Sequence, residues 1–166
     1  VDSAEWRIDR PAARASRRGQ LLNLHFIAGD AVELSRAGTL SEMALVLGLH
    51  ACGGLSDLVI AHAVAHSAAF AVCTCCYLSN RRLQVPAPHS TPGLSMLARD
   101  EWLGAVAEAP DESHLDSLLL AAEQQTDPRT AELGAHSVNA LRAAAAVHHW
   151  SHGELQVELR SFDSRF

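Results

Sequence analysis

Two continuous apolar runs, Ala44–Leu49 and Ala69–Thr74, stop abruptly in polar and reactive residues: the first in His50-Ala51-Cys52-Gly53, the second in Cys75-Cys76-Tyr77. Unbroken apolar runs of this length predict strands buried on both faces, as in a parallel sheet. Between them, Leu55, Leu58, Val59, His62 and Ala63 recur at helical spacing, so Leu55–His66 is predicted to be a helix, with Ser56 as its cap. Strand, helix and strand of this kind form a parallel unit with a right-handed crossover. In open sheets the ligand crevice lies outside the carboxyl ends of the strands, and the candidate site is placed there.

Upstream, Leu22–Ala28 reads as a strand followed by the turn Gly29-Asp30, and Glu33–Glu42 as a loop or short helix. Val1-Asp2 reads as the cut end of a strand, with a helix over Ala12–Arg18. Downstream, Asn80–Gly93 carries three prolines and no periodicity, so it is expected to be a mobile loop. Weaker helical patterns follow at Ser95–Ala107 and Ser113–Gln125. The Ala-rich stretch Thr130–Trp150 is the clearest helix by propensity, with Gly153 as its stop. Leu155–Phe162 alternates like a strand with one wetter face. The expected fold is therefore α/β, a Rossmann-like, mostly parallel sheet in one domain spanning 1–166.

Composition narrows the function classes. Of 166 residues, 48% are hydrophobic and 19% charged, a globular balance. The net charge of −6 excludes a general polyanion binder. All 13 basic residues are arginines, and five of them (Arg7, Arg10, Arg14, Arg17, Arg18) crowd the first twenty positions. They read either as a solvated helix face or as a patch contacting phosphates, which Arg forks suit. No segment offers about 18 uninterrupted apolar residues, so no membrane span or membrane partner is expected. The four cysteines (Cys52, Cys73, Cys75, Cys76) are bunched in apolar runs rather than spaced along loops. That pattern favours a reducing, cytoplasmic compartment over a disulfide scaffold.

Together, Val1-Asp2, Gly29-Asp30, the segment Gly48–Gly53, Ser56-Asp57 and Cys75-Cys76-Tyr77 resemble class I S-adenosylmethionine-dependent methyltransferases. The likeness is to a group with an "LHACG…(S/T)D" motif after the fourth strand and "CCY" or "CCH" after the fifth. That group includes the methyltransferase-like domain of the glutathione S-transferase C-terminal-domain-containing protein. It also includes the tRNA 2′-O-methyltransferase of the acceptor stem. The resemblance covers about residues 1 to 80. It implies S-adenosyl-L-methionine as cofactor and RNA, with tRNA the nearest case, as methyl acceptor. The Gly-rich first motif of that family and the end of its sheet have no counterpart here. The expectation is a piece of a longer domain, first and last strands missing; the alternative is a non-catalytic methyltransferase-like binding module.

The resemblance also implies roles. Asp2 would accept the ribose hydroxyls, the other reading being a carboxylate at a helix N-terminus. Asp30 would sit by the adenine amino group with Ala31 donating its N–H, unless Gly29-Asp30 is an ordinary turn. His50 and Cys52 would lie beside the methyl group, and His50 or Asp57 would serve as base toward a hydroxyl acceptor. Against these stand a core histidine and a helix-start carboxylate. Tyr77 would stack over substrate or cofactor, or pack at the rim. No Asn-Pro-Pro-Tyr motif follows the fourth strand, which argues against the amino-group enzymes that use one.

No metal site is expected. Cys52 with Cys75 or Cys76, completed by His50 or a late histidine, would form a zinc set. However, the spacing is not a standard zinc pattern, and adjacent ligands in a strand point to opposite faces. Small buried thiols are the alternative. His148 and His152, spaced i and i+4, read as a solvated helix end beside His149.

Overall fold

The computed structural model describes residues 27, 29–38, 43–88, 95–106 and 112–161. The expected strand at 22–28 lies almost wholly outside these residues, as do Asp2 and the five N-terminal arginines.

The apolar runs form β1 (Leu45–Leu49) and β2 (Ala69–Cys73), hydrogen-bonded in parallel with Leu45 opposite Ala69 and Leu49 opposite Cys73. The crossover helix α2 (Gly54–Ala65) packs on one face of this pair. Upstream, a single short helix, α1 (Ala31–Arg36), occupies part of the segment predicted as a loop or short helix. Burial on both faces does not hold for β1. Gly48 is buried against Val59 of α2, whereas Leu45, Leu47 and Leu49 are 52%, 68% and 76% exposed. The run is apolar on both faces, yet among the described residues only one face is covered tightly.

Beyond β2 the prediction needs correction. The Pro-rich stretch is not all loop: β3 (Gln84–Pro86) pairs antiparallel with β4 (Met96–Ala98), and Val85 is fully buried. Pro86 survives in so short a ladder because a terminal strand position tolerates a missing N–H. The helix expected over 95–107 begins only after β4, as α3 (Arg99–Gly104). The described sheets are thus one parallel and one antiparallel pair, in a mixed α/β arrangement.

The helical half follows its sequence signals closely. α4 (Glu112–Ala122) and α5 (Pro128–His149) form an antiparallel hairpin in which Gly134 lets the backbone of α4 approach closely. Asp127 caps α5 by accepting from the Arg129 N–H at 3.1 Å and the Thr130 hydroxyl at 2.5 Å. Pro128 fills the first helical position, where its missing N–H costs nothing. The hydrogen bonds to Asp127 hold its carboxyl below the usual carboxylate range. α5 ends at His149, so His148 and His152 do not share a helix face. His149 instead reaches the Trp102 carbonyl at 3.1 Å.

Residues 154–161, expected as part of a strand, form no helix and pair with no described strand. Their alternation is real, since Leu155 and Val157 turn toward the core, but it reports burial and not a ladder. The core itself gathers Leu58, Ile60 and Val64 of α2 with Trp102, Leu119, Val138 and Ala145.

Candidate functional site

The loops leaving β1 and β2 are locked together by their backbones. Gly53 donates to the Cys76 carbonyl at 2.8 Å, and Gly54 donates to the Ser79 carbonyl at 3.0 Å. The Asn80 side-chain amide adds a bond to the Cys52 carbonyl at 3.2 Å. Two glycines are required for this contact. A Cβ on Gly53 would collide with the Ser79 carbonyl, and one on Gly54 with the Asn80 carbonyl. Gly53 also has φ +55°, where side chains are strained. The Cys-Gly-Gly sequence is therefore what brings the two strand ends into contact. Ser56 donates to the Ala51 carbonyl inside the turn and is not the predicted cap; Gly53 holds that position.

Three thiols converge across this junction. Cys52 Sγ lies 2.9 Å from Cys75 Sγ, Cys75 Sγ lies 3.8 Å from Cys76 Sγ, and all three fall within 4.8 Å of one another. The expectation that Cys75 and Cys76 point apart fails because β2 ends at Cys73 and both lie in the following loop. The hydrogen bonds to Cys75 and then Cys76, helped by burial, push the Cys52 thiol up to about 12. Cys76 is shifted the other way, chiefly by the bond from Cys52 and then by the Ser79 hydroxyl and Cys75, against an opposing contribution from burial. Cys73 stands outside the cluster.

Beneath the junction lies an ion network. Asp57, in the first turn of α2, is wholly buried. It accepts from Arg99 Nε at 2.5 Å on Oδ2 and from Arg142 Nε at 2.9 Å on Oδ1, with Arg142 Nη2 at 3.2 Å. The same Nη2 donates to the Gly53 carbonyl at 2.9 Å, joining the network to the loop above. Two arginines against one carboxylate leave a buried net charge of +1. Sequence reading missed both partners. Arg142 is the one charged residue in the Ala-rich run 140–147, which was the available signal for a buried ion pair.

The other predicted site residues take separate places. His50 is exposed, directly after β1, in the left-handed region at φ +54°. Tyr77 is buried, its hydroxyl 3.2 Å from both Asn139 Nδ2 and Thr74 Oγ1, with the Arg142 guanidinium 5.6 Å over its ring. Glu123, unforeseen, accepts from the backbone N–H groups of Tyr77 and Leu78 and so fixes the turn after the cysteines. Asp30 caps α1: its Oδ1 accepts from Val32 N–H at 2.9 Å and Glu33 N–H at 3.1 Å, which places Ala31 in the first helical turn. A cavity of about 1130 Å³ opens on the exposed face of β1 and β2, lined by Leu47, Thr74, Tyr77, His136 and Asn139. It meets the junction at Tyr77; neither His50 nor the three clustered thiols line it.

Comparison with the curated proteins and with the solved structures gives no match. A family model described as a methyltransferase domain matches residues 1–81, the part of the chain that contains β1, α2, β2 and the joined loops.

Proposed function

We propose that this chain is an S-adenosylmethionine-dependent methyltransferase whose Rossmann-like sheet carries its site at the carboxyl ends of β1 and β2. The observation that supports it is the coincidence of the methyltransferase-domain match with the segment whose strands end in the joined loops. The residues present suit the cofactor's chemistry. Both cap bonds to Asp30 end on Oδ1 of an exposed side chain, so Oδ2 can accept from an adenine amino group. Asp2, by resemblance, takes the ribose hydroxyls. S-adenosyl-L-methionine, when bound, supplies the electrophilic methyl group.

Methyl transfer asks the protein for an in-line approach and a suitable field more than for covalent help. His50, exposed at the end of β1, takes the proton of a hydroxyl acceptor. Asp57, fully buried between two arginines, acts as a positioning residue and not as a base. Tyr77 closes the inner wall, and Cys52 lies beside the methyl group.

Titration calorimetry with S-adenosylmethionine and S-adenosylhomocysteine tests this reading. Asp30→Ser keeps a good helix cap while shortening the reach. It is expected to leave stability unchanged and weaken binding about fivefold, the worth of one hydrogen bond. His50→Ala is expected to remove turnover while binding persists. No binding by the folded whole chain would leave a methyltransferase-like module that serves a partner instead.

RNA is the proposed acceptor class, with Arg7, Arg10, Arg14, Arg17 and Arg18 as phosphate contacts and a reducing, cytoplasmic setting. Replacing these five by Gln is expected to flatten the salt dependence of RNA binding by a slope of about 4 to 5. An unchanged slope refutes the contact.

A further inference from the structure

The three thiols at the junction have the arrangement of a metal site. Zinc–sulfur bonds of about 2.3 Å at tetrahedral angles put neighbouring sulfurs about 3.8 Å apart. Cys75 and Cys76 stand at 3.8 Å, and Cys52 lies within the same 4.8 Å envelope. The 2.9 Å contact of Cys52 with Cys75 would have to open to the same spacing to admit the ion. The backbones that carry them are already fixed by Gly53 N–H to Cys76 and Gly54 N–H to Ser79, so little ordering accompanies binding.

The surrounding charge favours an anionic cluster. α2 begins at Gly54, two residues after Cys52, and its positive end faces the junction. Arg142, part of the buried +1 network, bonds the Gly53 carbonyl directly beneath. Three thiolates around a divalent cation carry a net charge of −1, opposite in sign to both. A disulfide would use only two of the thiols and would add no charge.

We propose that Cys52, Cys75 and Cys76 bind one zinc ion as three thiolates, leaving the fourth position open to water or an added ligand. Among the described residues no fourth His, Cys, Asp or Glu joins the cluster. Three protein ligands with an open fourth position distinguish a reactive zinc site from a closed structural one. Binding displaces the protons of the three thiols to the buffer, with no change in oxidation state. The proposal does not depend on the methyltransferase reading, since its readout is metal and not cofactor.

The experiment uses the whole chain, reduced and stripped with a chelator, then titrated with zinc and separately with cobalt. One equivalent of zinc is expected, together with thiolate-to-cobalt charge-transfer absorption and tetrahedral visible bands. Zinc is expected to protect Cys52, Cys75 and Cys76 from iodoacetamide while leaving the rate at Cys73 unchanged, a readout that needs no variant. Cys52→Ser, Cys75→Ser and Cys76→Ser should each weaken zinc binding by more than the roughly 10–100-fold that follows loss of an outer-shell partner, and Cys73→Ser should not. Imidazole should shift the visible cobalt bands by entering the fourth position; unmoved bands would refute the open position. Substoichiometric uptake by the folded, reduced chain would overturn the proposal. So would equal loss in Cys73→Ser.

Discussion

Asp57→Ala is expected to lower the stability of the chain by about 3–5 kcal/mol, the cost of removing one partner from a buried ion network. The carboxylate is fully buried and receives three bonds from Arg99 and Arg142, whose side chains are 1% and 2% exposed. Without it, two guanidiniums remain out of water with no counter-charge, and neither can neutralise itself by losing a proton. Arg99 is already near its limit, since its Nη2 is buried with no hydrogen-bond partner. Urea denaturation followed by circular dichroism measures the effect. Replacing all three together, Asp57→Leu with Arg99→Met and Arg142→Leu, is expected to recover much of the loss, because well-packed apolar groups often equal a buried ion network. A midpoint unchanged in Asp57→Ala would mean that the carboxylate serves substrate and not the scaffold. The network also ties α2, α3 and α5 to one loop carbonyl, so its loss should loosen the site before the rest of the core.

The parts of this fold that were legible in the sequence are those where one local pattern decides. β1 and β2 show as apolar runs because their residues stay apolar on both faces, including the face of β1 where Leu45, Leu47 and Leu49 are exposed. α5 shows because Ala-rich propensity decides it, although the start was expected at Thr130 and the Asp127 cap and Pro128 set it two residues earlier. The ends of β1 and β2 were legible for the same reason, since polar and reactive residues begin where the runs stop. What escaped depends on partners distant in sequence. Asp57 stands 42 and 85 positions from its two arginines, and nothing near it reveals whether its charge meets solvent or a guanidinium. β3 and β4 escaped because three-residue strands have no period to read, and prolines pointed the other way. The approach of Cys52 to one of the later cysteines was expected, but its meeting with both Cys75 and Cys76 escaped because it depends on where β2 ends. Pairing beyond Cys73 would have sent Cys75 and Cys76 to opposite faces.

That convergence hangs on one position without a side chain, which makes Gly53→Ala the sharpest test of the site as a unit. The methyl group would run into the Ser79 carbonyl, and the φ of +55° adds about 1–3 kcal/mol of backbone strain. Relief requires the loop after β2 to move away, with loss of the Gly53–Cys76 and Gly54–Ser79 bonds at about 1 kcal/mol each. The expected total is about 3–5 kcal/mol, confined largely to the junction, because the Trp102 and Val138 core lies beneath it. Amide exchange at residues 53 and 54 should therefore rise far more than exchange in α5. Zinc uptake and S-adenosylmethionine binding should fall together, since both need the two strand ends in contact. Gly104→Ala is the matched control: nothing lies within 4 Å of its added methyl group, and it should leave all of these readouts in place. If Gly53→Ala instead kept metal and cofactor binding intact, the two loops would be docked by their side chains and not by the glycine backbone.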